Sequence, residues 1–280
     1  MHCYKICWSF MKKTSTIALL ASVCFFGMQA VELLFEQETY EKLKAKIVTQ
    51  FEGKVPYEWS ETATGVVSTL GTSDKVIALT CDACGSKTDG YDKELIDFLI
   101  KENVPATLFI NARWIDKNPT IFKELAANPL FEIESHGMEH KPCSVNGNSI
   151  YGLQGTKSPA EVVDEVEKNG LKIALLTGRK PKYYRSGTAF YDEVAVQIVS
   201  ELGYKVIGFS VLGDKGATLN ANEVEKAFLT SENGSIIICH FNRPEKETGA
   251  GLRRAIPKLK EKGFTFVKLE EYLSPTSLAT

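Results

Sequence analysis

The chain has 280 residues, 44% hydrophobic and 24% charged, a globular composition with length for one large α/β barrel or two smaller domains. Its formal net charge is −2 and it carries no basic run, which argues against nucleic acid or an anionic lipid surface as a partner. No stretch between Val31 and Thr280 is long and apolar enough to cross a bilayer.

The N-terminus has a different character. Lys12-Lys13 precede an apolar run from Ile17 to Met28 and an exit at Gln29-Ala30, the pattern of a secretory signal peptide over residues 1–30. Met28 is larger than the residue usually found three before a cleavage point. Removal of this segment takes away Lys5, Lys12 and Lys13 and no acid, so the charge goes from −2 to −5. It also leaves four cysteines, Cys81, Cys84, Cys143 and Cys239. An exported protein meets an oxidising compartment, where a disulfide from Cys84 to Cys81 or to Cys143 is one expectation.

Residues 31–64 read as an N-terminal helix and linker. Leu33, Leu34, Tyr40, Leu43, Ile47 and Phe51 have helical spacing, predicting an amphipathic helix over 32–51 that packs on the outside of the main body. Gly53 to Gly65 is the linker. A short strand is expected over Gly65–Leu70, then alternating strands and helices to Lys268. The expected strands are Val76–Thr80, Ala106–Ile110, Phe131–Glu134, Lys182–Arg185, Val206–Val211, Ser235–Cys239 and Phe264–Lys268. The helices between them are Tyr91–Glu102, Pro119–Ala127, Pro159–Asn169, Asp192–Leu202, Asn222–Leu229 and Gly251–Lys262. Repeated strand–helix units predict an α/β fold, an irregular (β/α) barrel of about seven parallel strands, in one domain over residues 65–280.

Chemistry in such barrels collects at the C-terminal ends of strands. Cys81-Asp82-Ala83-Cys84, Ser135-His136-Gly137-Met138-Glu139-His140, Arg185-Ser186-Gly187, Asp214 and His240-Phe241-Asn242 all fall there. His136 and His140 are spaced i, i+4, so one helical turn would bring both imidazoles to one side, where they can share a divalent ion. Cys81-x-x-Cys84 could be a redox dithiol or half a zinc site. No second short-spaced pair follows it, so a small buried residue and a loop thiol are the simpler reading. Tyr151, Tyr184, Phe190, Tyr191 and Phe241 lie in strand-end loops and could stack on sugar faces. Trp59 and Trp114 read as packing residues.

Taken in order, these fragments resemble the polysaccharide deacetylase family (NodB homology, carbohydrate esterases) over roughly residues 65–273. Leu79-Thr80-Cys81-Asp82-Ala83 resembles its Thr-Phe-Asp-Asp-Gly motif. Ser135 to Pro142 is similar to its His-(Ser/Thr)-x-x-His-Pro motif, with Lys141 as an extra residue. Tyr184-Arg185-Ser186-Gly187, Asp214 and Ile236-Ile237-Ile238-Cys239-His240 match its later motifs. The resemblance implies a NodB-type barrel that hydrolyses acetamides of a polysaccharide, peptidoglycan first. It implies Asp82 as general base, His136 and His140 as metal ligands, with Asp82 as a further ligand, and Arg185 holding the Asp82 carboxylate. His240 would be the general acid, oriented by Asp214. The implied cofactor is a divalent metal, zinc first, with cobalt or manganese as alternatives. One departure stands out: the family's second Asp, a metal ligand, is Ala83 here. Asp89 is nearby as a substitute ligand, though a solvated loop residue is the simpler reading.

Three other readings remain open from sequence. A non-catalytic glycan-binding protein would keep the fold and lose turnover. An amidohydrolase of small cyclic amides would share the fold, although export argues against such substrates. A thiol oxidoreductase would use Cys81 and Cys84.

Overall fold

In the computed structural model, which describes residues 37–273, the chain divides into two compact units, one ending at Thr49 and one starting at Gln50. Helix α1 covers residues 37–51, as the spacing of Tyr40, Leu43, Ile47 and Phe51 predicts. The expected signal segment lies outside the described residues.

The second unit is built around β1 (Val76–Ala83), buried at all eight positions. The side chains of this strand alternate between two environments, as the period-2 geometry of a strand demands. Ile77, Leu79, Cys81 and Ala83 pack into a cluster with residues of the surrounding helices, including Leu95, Trp114, Leu252 and Ile256. Val76 and Ala78 turn the other way, toward Phe109, Tyr183, Ile236 and Leu269. The even-numbered face that carries Asp82 therefore looks into the barrel, and the odd-numbered face is core. Burying each large aliphatic side chain contributes about 1.5–3 kcal/mol.

The other strands of the sheet are β2 (Ala106–Ile110), β3 (Phe131–Ser135), β6 (Tyr183–Tyr184), β7 (Lys205–Val206), β8 (Val211–Leu212), β9 (Ser235–His240) and β10 (Thr265–Val267). A separate antiparallel hairpin holds β4 (Ser149–Ile150) and β5 (Leu153–Gln154). Seven strands run in the order β7-β6-β3-β2-β1-β9-β8, and β10 pairs with the start of β1. Every pairing in this sheet is parallel. The connecting helices are α2 (Lys93–Lys101), α3 (Ala112–Lys117), α4 (Pro119–Ala127), α5 (Pro159–Thr177), α6 (Glu193–Glu201), α7 (Ala221–Phe228) and α8 (Thr248–Glu261). This is the curled, open parallel barrel that the strand–helix alternation predicts.

Several local expectations are corrected. The run expected as one strand over Val206–Val211 splits, because Val206 pairs with Tyr184 on β6 whereas Val211 pairs with Ile237 on β9. The residues between them cross from one sheet edge to the other. The segment expected as a strand over Gly65–Leu70 makes only isolated bridges, Val67 to Ile207 and Thr69 to Ser235. It spans the same gap and helps close the barrel. Helix α5 runs past Asn169 to Thr177. Gly170 does not stop it, because the glycine is there for close approach: a Cβ would overlap the Tyr204 hydroxyl. The short helix α3 and the β4–β5 hairpin carry no periodic apolar signal and were not expected.

Candidate active site

At the C-terminal end of β1, Asp82 is almost fully buried and faces the barrel interior. Its Oδ1 accepts a hydrogen bond from Nη1 of Arg185 at 2.8 Å. Arg185 follows β6 and is completely buried. Its guanidinium also donates to Thr80 Oγ1 at 2.8 Å, to the Ile207 carbonyl at 3.2 Å and to the Gly208 carbonyl at 2.8 Å. The centre of the Phe109 ring lies 4.3 Å from it. A buried ion pair is tolerable only when its remaining donors are satisfied in this way.

His136 stands just past β3, with Nδ1 2.9 Å from the Arg185 carbonyl oxygen. A carbonyl can only accept, so this nitrogen carries the proton and Nε2 keeps its lone pair. That Nε2 lies 3.7 Å from Asp82 Oδ2 and 3.8 Å from Cys84 Sγ. Burial pushes the His136 pKa down, but Asp82 and Cys84 outweigh it and leave it raised.

His136 and His140 do share one side, yet not through a helical turn. Residues 136–140 form a loop with two left-handed residues, Gly137 at φ 77° and His140 at φ 62°. The loop is clamped by buried Glu165 of α5. Its carboxylate accepts from the amides of Glu139 at 2.9 Å and Lys141 at 3.1 Å, and its carbonyl from the Met138 amide at 2.8 Å. A Cβ on Gly137 would overlap the Glu165 carboxylate. Burial pushes the Glu165 pKa up to about 7, against the two amide hydrogen bonds. The two imidazoles end 4.8 Å apart between ring centroids, nearly perpendicular.

His140 Nε2 is buried and has no hydrogen-bond partner. Such an orphan is rare for a buried polar atom and fits a position reserved for a ligand. One ligand atom each from Cys84, His136 and His140 lies within 4.8 Å of the other two. The donor set, two imidazoles and a thiol, suits a divalent transition metal. Burial raises the Cys84 thiol pKa, but the imidazoles of His140, His136 and His240 outweigh it and hold it well below the usual value.

On the other side of Asp82, His240 ends β9 and stands in register with it. Asp214 accepts from His240 Nδ1 at 2.9 Å, from the His240 amide at 2.8 Å and from Thr248 Oγ1 at 2.9 Å. Burial disfavours the charged imidazole, but the Asp214 carboxylate outweighs it and holds the His240 pKa well above the usual range. The arrangement gathers a carboxylate on an arginine, a protonatable imidazole on a carboxylate, and a cluster of metal-type donors at one barrel mouth. Water attack with proton delivery to a leaving group is within its reach.

Comparisons with known proteins bear on the family and the fold. A family model described as polysaccharide deacetylase matches residues 69–207. The chain belongs to the polysaccharide deacetylase family. It is 24% identical over 208 residues to a peptidoglycan-N-acetylglucosamine deacetylase of Bacillus cereus, covering 72% of this chain and 89% of the relative. It is 29% identical over 203 residues to such a deacetylase of Listeria monocytogenes, covering 71% of this chain but only 39% of that longer relative. Among solved structures, a peptidoglycan N-acetylglucosamine deacetylase superposes with a TM-score of 0.64 at 24% identity, over 77% of this chain and 95% of the other. A carbohydrate esterase family 4 pseudoenzyme from Bacillus anthracis superposes with a TM-score of 0.60 at 22% identity, over 71% of this chain and 66% of the other.

Within the deacetylase motif, the position of the second Asp falls on the core side of β1. Ala83 is fully buried among apolar side chains and paired with Ile110. The residue sequence reasoning passed over is Cys84. A signal was present: Cys84 is two residues beyond Asp82, and strand alternation returns it to the same side. The CxxC reading hid that signal, because Cys81 faces the core beside Cys239, Sγ to Sγ 3.2 Å. The four described cysteines are free thiols, so neither expected disulfide is formed. A dithiol of Cys81 and Cys84 has no geometric basis either. Asp89 is also spoken for by its own loop, accepting from the Ser86 amide and hydroxyl, each at 2.6 Å. Of the loop aromatics, Tyr184, Tyr191 and Phe241 are fully buried. Tyr151 is exposed, stacking edge-on against Phe190 at 5.9 Å, which meets Trp59 at 5.6 Å.

Proposed function

We propose that this protein removes N-acetyl groups from an amino-sugar polysaccharide outside the cytoplasm, with peptidoglycan as first candidate. The observation that carries the reading is the placement of Asp82 and His240 in register on adjacent strands, each held by a buried partner of opposite charge, beside the orphaned nitrogen of His140. The relatives named peptidoglycan deacetylases support the substrate class. Residues 1–30, read as a signal peptide, support export.

In this reading Asp82 takes the proton of the attacking water, and Arg185 holds the carboxylate in place through Oδ1 at 2.8 Å. His136 and His140 would hold a divalent metal, zinc first, which when bound polarises the acyl carbonyl and makes water more acidic. His240 delivers a proton to the departing amine, without which the amine is a poor leaving group. Asp214 fixes the His240 ring through Nδ1–H, aiming Nε2 at the leaving nitrogen. The test is acetate release and free-amine formation by the purified chain on peptidoglycan and on N-acetylglucosamine oligomers. Acetate from either supports the reading. Its absence on both, with glycan binding retained, selects the non-catalytic reading that Ala83 favours.

A pH profile checks the role of His240. A general acid works only while protonated, so kcat falls as pH rises through its pKa. Asp214 holds that pKa high, which places the alkaline limb above the ordinary histidine range. Asp214→Asn should move the limb to lower pH and cut kcat about tenfold for each pH unit beyond it. A limb that stays in place removes His240 from the role of acid.

A further inference from the structure

The metal reading leaves a gap in the ligand set. Two imidazoles alone bind a divalent ion weakly, and the acid expected from the first motif is absent, since Ala83 points into the helical core. Asp82 is the nearest carboxylate, but one of its oxygens is committed to Arg185 at 2.8 Å. Cys84 has no such commitment. Its side chain is partly exposed at the mouth, and its Sγ faces His136 Nε2 at 3.8 Å. Ligand atoms around a tetrahedral zinc with ordinary Zn–S and Zn–N lengths are roughly 3.5 Å apart. The Cys84, His136 and His140 atoms, all within 4.8 Å of one another, need only a small contraction to reach that spacing.

We infer that the Cys84 thiolate is the third protein ligand of the metal, so that the centre is of Cys-His2 type. The inference rests on the metal-deacetylase reading and deepens it. The ligand has moved one residue along the chain, from the core-facing position of Ala83 to the next interior-facing one, and has changed from carboxylate to thiolate. Asp82 is then free to serve as base alone, with Arg185 as its partner. The softer sulfur donor also selects zinc and disfavours manganese, which prefers oxygen ligands.

The test is metal binding to the purified full chain, kept reduced, using zinc and cobalt(II) as probes. The wild type should bind one zinc per chain, and its cobalt form should show an intense near-ultraviolet sulfur-to-cobalt charge-transfer band. Cys84→Asp should bind cobalt without that band and gain affinity for manganese relative to zinc. Cys84→Ala should lose at least about tenfold in zinc affinity. Because Cys84 is partly exposed, both variants should melt near the wild type, and circular dichroism checks that they fold. A cobalt complex lacking the band, a band surviving in Cys84→Ala, or no metal binding by the wild type would overturn the inference. Acetate release separates the two claims. Metal-dependent release without the band leaves the deacetylase reading standing and the cysteine ligand refuted. The band without release on any glycan does the reverse.

Discussion

Asp82→Asn should lower kcat for acetate release by about 10²–10⁴-fold, the usual worth of a positioned general base. The change is nearly isosteric. The amide oxygen of the variant can still accept from Arg185 Nη1, so the 2.8 Å contact survives in form. What disappears is the basic oxygen, Oδ2, which lies on the His136 side at 3.7 Å. Bound zinc should be measured alongside turnover. Lost turnover with zinc retained assigns Asp82 to proton abstraction, as proposed. Lost turnover with zinc also lost makes Asp82 a ligand first. Unchanged turnover removes it from the chemistry.

Arg185→Met should destabilise the protein by about 3–5 kcal/mol, because it leaves the Asp82 carboxylate buried without its counter-charge. For a chain of this size that is a fall in Tm of roughly 6–20 °C. The methionine can occupy the space against Phe109 but cannot donate, so Thr80 Oγ1 and the carbonyls of Ile207 and Gly208 also lose the hydrogen bonds they accept from the guanidinium. Activity should fall as well, because the Asp82 carboxylate loses the contact that positions it. The double variant Asp82→Asn with Arg185→Met should be less destabilised than the sum of the two singles, since no unpaired charge remains. Thermal melts of the four proteins give this coupling directly. Additive effects would mean that Arg185 acts mainly through its carbonyl contacts.

The strand–helix order and the placement of ionisable residues at strand ends were legible because both depend on local pattern. Val76–Thr80 and Ser235–Cys239 are apolar runs bounded by polar chemistry, and they form the two adjacent strands that carry Asp82 and His240. Val206–Val211 misled because a continuous apolar run says nothing about which neighbour each residue pairs with, and its two ends pair on opposite edges of the sheet. The spacing of His136 and His140 was legible, but the loop that unites them was not. It depends on Glu165, 25 residues beyond His140 in sequence, whose buried carboxylate accepts the loop amides. Cys84 lay hidden for a related reason. Its partners are histidines from another strand end, so no short-range cysteine spacing announces it.

Metal-dependent deacetylation is tested most directly by acetate release from peptidoglycan by the purified chain before chelation, after it, and after zinc is restored. Acetate should vanish with the metal and return with stoichiometric zinc in the wild type, and should stay absent in His136→Ala. Acetate release that is indifferent to chelation, or zinc binding with no acetate from any acetylated glycan, would contradict it.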